Sequence, residues 1–377
     1  MTRLLSLALL SFTTAVFAQA PAPPPLDSHQ LNPDNTITFR YRGPGAKSVA
    51  VSLDLYAKPL PMAQDDSGVW FTTTPPLAPE YYGYTFIVDG VSQLDPLNGD
   101  VRFNYVNPAD QVMVPAHPAS PWELTAIPHG RVDHIRFTTH IAKNLPDNQS
   151  AYEVYTPPGY DQHRKGGYPV LYLLHGWSDN ETGWTEIAHA PFILDALIHE
   201  GKAVPMIVVM PLGYGDLDFV THGFSVWQDP AKIADNVRLY SDELLTEVVP
   251  AVERDYNVAK GRENHAIAGL SMGGLESLSI GLKNPDTFAY VVGMSSAIHN
   301  TPFDTLLPAD LAKAPKPTLL WVACGTDDHL LAPNRAFIAF AKAKGFNPVA
   351  VETPGLHIWE VWRDNLIHVA PLLFQPR

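Results

Sequence analysis

Cysteine is nearly absent: Cys324 is the single one among 377 residues. No disulfide can close within the chain, so a folded state must rest on its hydrophobic core, which a chain of this length can supply. Cys324 itself sits in the apolar run "LLWVACG", the setting of a buried structural thiol rather than a nucleophile. Basic residues are scarce too, with 25 Lys and Arg against 39 Asp and Glu and a formal charge of −14. That balance argues against nucleic acid as a partner, because phosphates need Lys- and Arg-rich faces, and equally against an anionic membrane surface. The His-Glu-x-x-His zinc signature, the Gly-rich phosphate loop and the dinucleotide fingerprint are all missing, so neither a metal nor a cofactor is expected. No apolar stretch is long enough to span a bilayer.

The first 20 residues, "MTRLLSLALLSFTTAVFAQA", combine an early Arg3, an apolar run from Leu4 to Leu10 and small-residue cleavage patterns ending at Ala18 and Ala20. They are expected to be a secretory signal, which makes the protein secreted, whether periplasmic or extracellular. "PAPPPL" after it is a stiff tether. From residue 27 to 115, short runs such as "TITFRYRGPG", "SVAVSLDL" and "YYGYTFIVDG" are rich in Val, Thr, Tyr and Phe and punctuated by Gly, Pro and Asp. That pattern predicts a small all-β, Ig-like sandwich. A Pro-rich linker, 116–125, follows. From residue 126 to 377, apolar runs without alternation ("YPVLYLLHG", "PMIVVMP", "HAIAGLS", "TLLWVACG") are separated by helix-like segments. This predicts a parallel sheet covered on both faces, an α/β three-layer domain.

In such a sheet, function lies at the carboxyl ends of the strands. "AIAGLSMGG", residues 266–274, places Ser271 between glycines at a strand-to-helix turn. The glycines permit a bend tight enough to lift the hydroxyl clear of the backbone. Serine needs a base to take its proton and a carboxylate to orient that base. In chain order the acid comes next, after a later strand, and the histidine last. "CGTDDHLL" offers Asp327 and Asp328, which spacing does not separate, and "LHIWEVW" offers His357. His299 and His329 sit on earlier loops, while His368 falls within the last helix. The two N–H groups needed by a developing oxyanion are expected from Met272, next to the nucleophile, and from Trp177, in the turn after "VLYLLHG". Among the aromatic side chains, Trp184, Tyr214, Trp227 and Trp359 are candidates to line an acyl pocket, although core packing is the ordinary fate of any one of them.

With "YPVLYLLHG", "GLSMGG", "CGTDD" and "LHIWEVWRDNL" in place, residues 126–377 resemble the esterase D-like branch of the α/β hydrolases. More narrowly, they resemble the bacterial feruloyl esterases of carbohydrate esterase family 1. The resemblance implies Asp328 as the acid, third after the glycine of a Cys-Gly-Thr-x-Asp turn. It also implies a feruloyl or related hydroxycinnamoyl ester on cell-wall arabinoxylan as substrate. The front module, through "YYGYTFIVDG" and "DPLN", resembles carbohydrate-binding family 48. The rival expectations are an acetyl-xylan or similar carbohydrate deacetylase, a siderophore esterase sharing the two-part layout, and a non-catalytic glycan-binding protein with a degenerate hydrolase domain. Oligomeric state has no signature in the sequence.

Overall fold

The computed structural model describes residues 25–375, Ala57 excepted. The signal expected over residues 1–20 lies outside the described residues. Two packed β-sheets occupy residues 29–114. One has four strands, in the order His29–Leu31, Ile37–Arg42, Val69–Thr73 and Ala63–Gln64; the other has six, built around Glu80–Val88. Strict alternation explains why they form a sandwich. In Val49–Leu53, Val49, Val51 and Leu53 point inward while Ala50 and Ser52 are half-exposed, so one face of each strand meets the other sheet. Ile37, Phe39, Val51, Tyr84 and Phe86 fill the space between the sheets.

The third sheet carries eight strands, which we label β1 to β8 in chain order: Arg131–Thr138, Gln149–Thr156, Val170–Leu174, Ile207–Pro211, His265–Leu270, Tyr290–Met294, Leu319–Gly325 and Val349–Thr353. Their spatial order is β1-β2-β4-β3-β5-β6-β7-β8. β1 and β2 are antiparallel and β3 to β8 parallel. The expected absence of alternation has a clear cause. In β3 the side chains of Val170, Tyr172 and Leu174 enter one buried layer, and those of Leu171 and Leu173 enter another on the opposite face. Both faces are covered by helices, so both parities must be apolar. Each fully buried aliphatic side chain contributes about 1.5–3 kcal/mol. The chain is therefore an α/β-hydrolase-like domain preceded by a distinct all-β domain. Among the described residues no helix is long and apolar enough to cross a membrane.

The two domains are joined by a buried ion pair. Arg363, on the C-terminal helix Trp359–Val369, is 1% exposed and pairs with Glu80 of the front module. The guanidinium also lies near the ring faces of Tyr81 and Trp122. Burial raises the Glu80 carboxyl above its ordinary range despite the Arg363 charge beside it. Removing one member of a buried pair strands the other charge without a counter-ion. Glu80→Ala is expected to lower the unfolding free energy by about 3 kcal/mol, read from the denaturant midpoint of the full chain.

Candidate active site

The loops at the carboxyl ends of β3, β5, β7 and β8 converge on one point. β5 ends at Leu270 and the next helix begins at Ser271, which has a φ of +52°. A left-handed conformation at a residue other than glycine is strained by about 1–3 kcal/mol and persists only where the surroundings enforce it. Here they do. A Cβ on Gly273 would lie 2.5 Å from the His175 carbonyl oxygen, and one on Gly269 would lie 2.3 Å from the Gly273 carbonyl oxygen. Glycine is what allows strand, turn and helix to close this tightly.

His357, on the loop after β8, brings its Nε2 to 3.0 Å from Ser271 Oγ. Its Nδ1 lies 2.8 Å from Asp328 Oδ2, on the loop after β7. Asp328 is buried, and its other oxygen accepts the Leu330 N–H at 2.8 Å. Burial works to raise the Asp328 carboxyl, but hydrogen bonding and the charge of His357, with the Leu330 N–H and Ser295, outweigh it and hold the carboxyl below its ordinary value. The carboxylate of the neighbouring Asp327 accepts from Thr326 Oγ1 at 3.1 Å, and its backbone N–H donates to the Gly355 carbonyl at 2.9 Å. Trp362 packs edge-on against the His357 ring with centroids 4.9 Å apart, and its indole N–H donates to Ser295 Oγ. A histidine held between a carboxylate and a serine hydroxyl is the arrangement that can move a proton off that hydroxyl.

Met272 lies in the first turn of the nucleophile helix Ser271–Lys283, where backbone N–H groups have no intrahelical acceptor. The loop after β3 crosses directly over the serine: a Cβ on Gly176 would be 3.4 Å from Ser271 Cβ. Trp177, the next residue, lines the same cleft as Ser271 and His357. Buried His175 braces this loop. Its Nδ1–H donates to the Gly176 carbonyl at 2.7 Å and its Nε2 accepts the Gly213 N–H at 2.8 Å. Burial depresses the ring to about 4, which keeps it neutral for this double role.

The cleft has a volume of about 280 Å³. Of the four aromatic residues expected along it, Trp359 is in place. Trp184 is buried, donates its N–H to the Leu174 carbonyl, and meets Trp359 edge-on from behind. Tyr214 is wholly buried beneath the loop, where its hydroxyl accepts the Ser178 N–H. Trp227 packs in the core against Phe219. These three are large apolar side chains serving the core, and none lines the cleft. The sequence did not point to the opposite wall. Asp54, Arg102 and Asn104 of the front module line it, with Arg102 and Asp54 ion-paired at 2.7 Å. No motif marks them, because they reach the site only through the docking of one domain on the other.

Residues 144–373 match the Esterase family, described as "Putative esterase". The chain belongs to that family and is an esterase of the α/β-hydrolase class. It is 31% identical over 353 residues, 92% of its length, to an endo-1,4-beta-xylanase/feruloyl esterase of Xylanibacter ruminicola, and spans 46% of that relative. Among solved structures, a ferulic acid esterase of Anaeromyces mucronatus superposes with a TM-score of 0.59 at 24% identity, over 67% of this chain and 93% of that one. The enterobactin esterase of Shigella flexneri superposes with a TM-score of 0.66 at 18% identity, over 90% of this chain and 93% of that one. At these identities the two solved structures show a shared fold.

Proposed function

We propose that the protein hydrolyses esters bearing a hydroxylated aromatic acid, with Ser271 as nucleophile. The observation that carries the hydrolysis is the continuous chain of contacts from Ser271 Oγ to His357 to Asp328, at 3.0 and 2.8 Å. Ser271 Oγ forms a bond to the ester carbonyl carbon while His357 Nε2 takes its proton. Asp328 keeps the proton of His357 on Nδ1 and stabilises the imidazolium. The N–H groups of Met272 and Trp177 hold the oxyanion. Collapse breaks the bond to the alcohol, which leaves with the proton from His357, and water then releases the acid by the same steps in reverse roles.

Two substrate types fit this class. A hydroxycinnamoyl ester on arabinoxylan, the first expectation from sequence, is supported by the relative matched along 92% of the chain, and in that setting the front module would engage sugar. A catecholate-siderophore ester, which the sequence places behind a carbohydrate deacetylase because of the expected export signal, draws on the enterobactin esterase, whose structure covers 90% of this chain. The Arg102 guanidinium on the cleft wall, a partner for the phenolate oxygens of a catechol, weighs toward the second. The secretory signal expected over residues 1–20 would place this action outside the cytoplasm.

The test compares the methyl esters of acetic acid, ferulic acid and N-(2,3-dihydroxybenzoyl)serine, which share one leaving group. kcat/KM is expected to be at least about tenfold higher for an aromatic substrate than for the acetate, and which aromatic ester leads decides between the two types. Acetate as the best substrate would contradict the reading and point to a deacetylase.

A further inference from the structure

The loop that carries Trp177 is held from two sides, and the two holds come from different domains. From beneath, the Tyr214 hydroxyl accepts the Ser178 N–H at 2.8 Å and donates to the Asp179 carbonyl at 3.1 Å. From the front module, Asn104 Nδ2 donates to Ser178 Oγ at 2.9 Å and to Asp179 Oδ1 at 2.8 Å, and the Tyr105 N–H donates to the Ser178 carbonyl at 2.7 Å. Ser178 has a φ of +76°, a conformation that needs enforcement. Asp179 is buried beside it, with no part in the proton transfers described above.

We propose that Asn104 is a positioning residue for the oxyanion hole, clamping Ser178 and Asp179 so that the preceding Trp177 N–H stays aimed at the reacting carbonyl. The front module thereby completes the catalytic centre of the hydrolase domain. This rests on the esterase mechanism above and deepens it. Asn104 is suited to the task at both ends of its amide. Its Oδ1 accepts the N–H groups of Val106 and Asn107 at 3.0 and 2.8 Å, which fixes its own turn, and so frees both Nδ2 hydrogens to cross the boundary. Burial raises the Asp179 carboxyl to about 7, moderated by the bond from Asn104 and the charge of Arg102. Arg102 with its partner Asp54, Tyr214 beneath the loop, Tyr105 packed edge-on against Tyr214, and His357 on the same cleft lining are charged or titratable groups around it.

Two variants test the proposal with 4-nitrophenyl acetate, whose small alcohol and acyl parts isolate the loop's effect from contacts to a large substrate. Asn104→Ala is expected to lower kcat by about 10- to 100-fold with KM within about twofold, the signature of a donor displaced from the transition state. Asn104→Asp keeps the Oδ1 acceptor, and with it the local turn, but sets a second carboxyl against Asp179. With both carboxyls ionised at high pH they repel and the clamp opens, whereas at lower pH a proton shared between them restores it. The ratio of variant to wild-type kcat is therefore expected to rise at least about tenfold between pH 9 and pH 6, and taking the ratio removes pH effects common to both proteins. Should Asn104→Ala fail to fold, the Asn104→Asp ratio carries the test. Wild-type kcat in both variants at every pH, or a change confined to KM, would overturn the clamp while leaving the esterase mechanism standing. Hydrolysis that is equal in wild type and Ser271→Ala would instead remove the mechanism beneath it.

Discussion

Ser271→Ala is expected to lower kcat/KM for the best ester substrate by about 10⁴-fold or more, with the fold intact. The substitution removes only the hydroxyl that faces His357 Nε2 at 3.0 Å. It leaves the backbone in the same left-handed turn, since alanine meets the same steric cost there as serine and gains no relief. The oxyanion donors of the neighbouring loops are untouched, so a residual rate above that of water remains. The unfolding midpoint should therefore stay within the range of surface substitutions, about 0.5 kcal/mol. A large loss of stability together with the loss of rate would mean that the serine serves the turn rather than the chemistry.

Asp328→Asn is expected to cost about 10⁴-fold in kcat. A carboxylate only accepts, so the proton of His357 stays on Nδ1 and Nε2 is free to take the one from Ser271. An amide can donate to Nδ1 instead, which drives the imidazole proton to Nε2, where it blocks the transfer. The same substitution has a consequence for stability. The folded-state carboxyl is held below its ordinary value, so its contribution is complete above the unfolded-state value of about 3.9 and is lost as pH falls through the lower folded value. The stability difference between wild type and variant is expected to be constant above about pH 5 and to shrink below about pH 4, as read from urea unfolding across that range. A difference that grew on acidification would show that the carboxyl is not held charged by His357.

The parts of this molecule that were legible in the sequence are those fixed by local pattern. Alternation marked Val49–Leu53 as a sandwich strand, and its absence marked Val170–Leu174 and Ile207–Pro211 as strands buried on both faces. Glycines around Ser271 are demanded by contacts within a few residues of the turn, so the elbow was visible too. Strand order put Ser271, His357 and either Asp327 or Asp328 just beyond the ends of parallel strands, and the resemblance in the Cys-Gly-Thr-x-Asp turn singled out Asp328. What sequence did not convey depends on packing between distant segments. Trp184, Tyr214 and Trp227 stand near the site in the chain but turn into the core, since nothing in local sequence tells a large ring on the cleft from one beneath it. Arg102 and Asn104 belong to strands and turns of another domain, about 70 residues before the loop that Asn104 holds. Their role exists only once the Glu80–Arg363 pair and its surroundings have set the two domains together.

The most direct test of the account is the covalent labelling of wild-type protein by a 4-nitrophenyl phosphonate ester, followed by intact mass and peptide mapping. The predicted result is one phosphonyl adduct per chain, located on Ser271, with loss of esterase activity in step with labelling and no adduct on Ser271→Ala. Hydrolysis that continues in a fully labelled protein, or an adduct on any other residue, would contradict it.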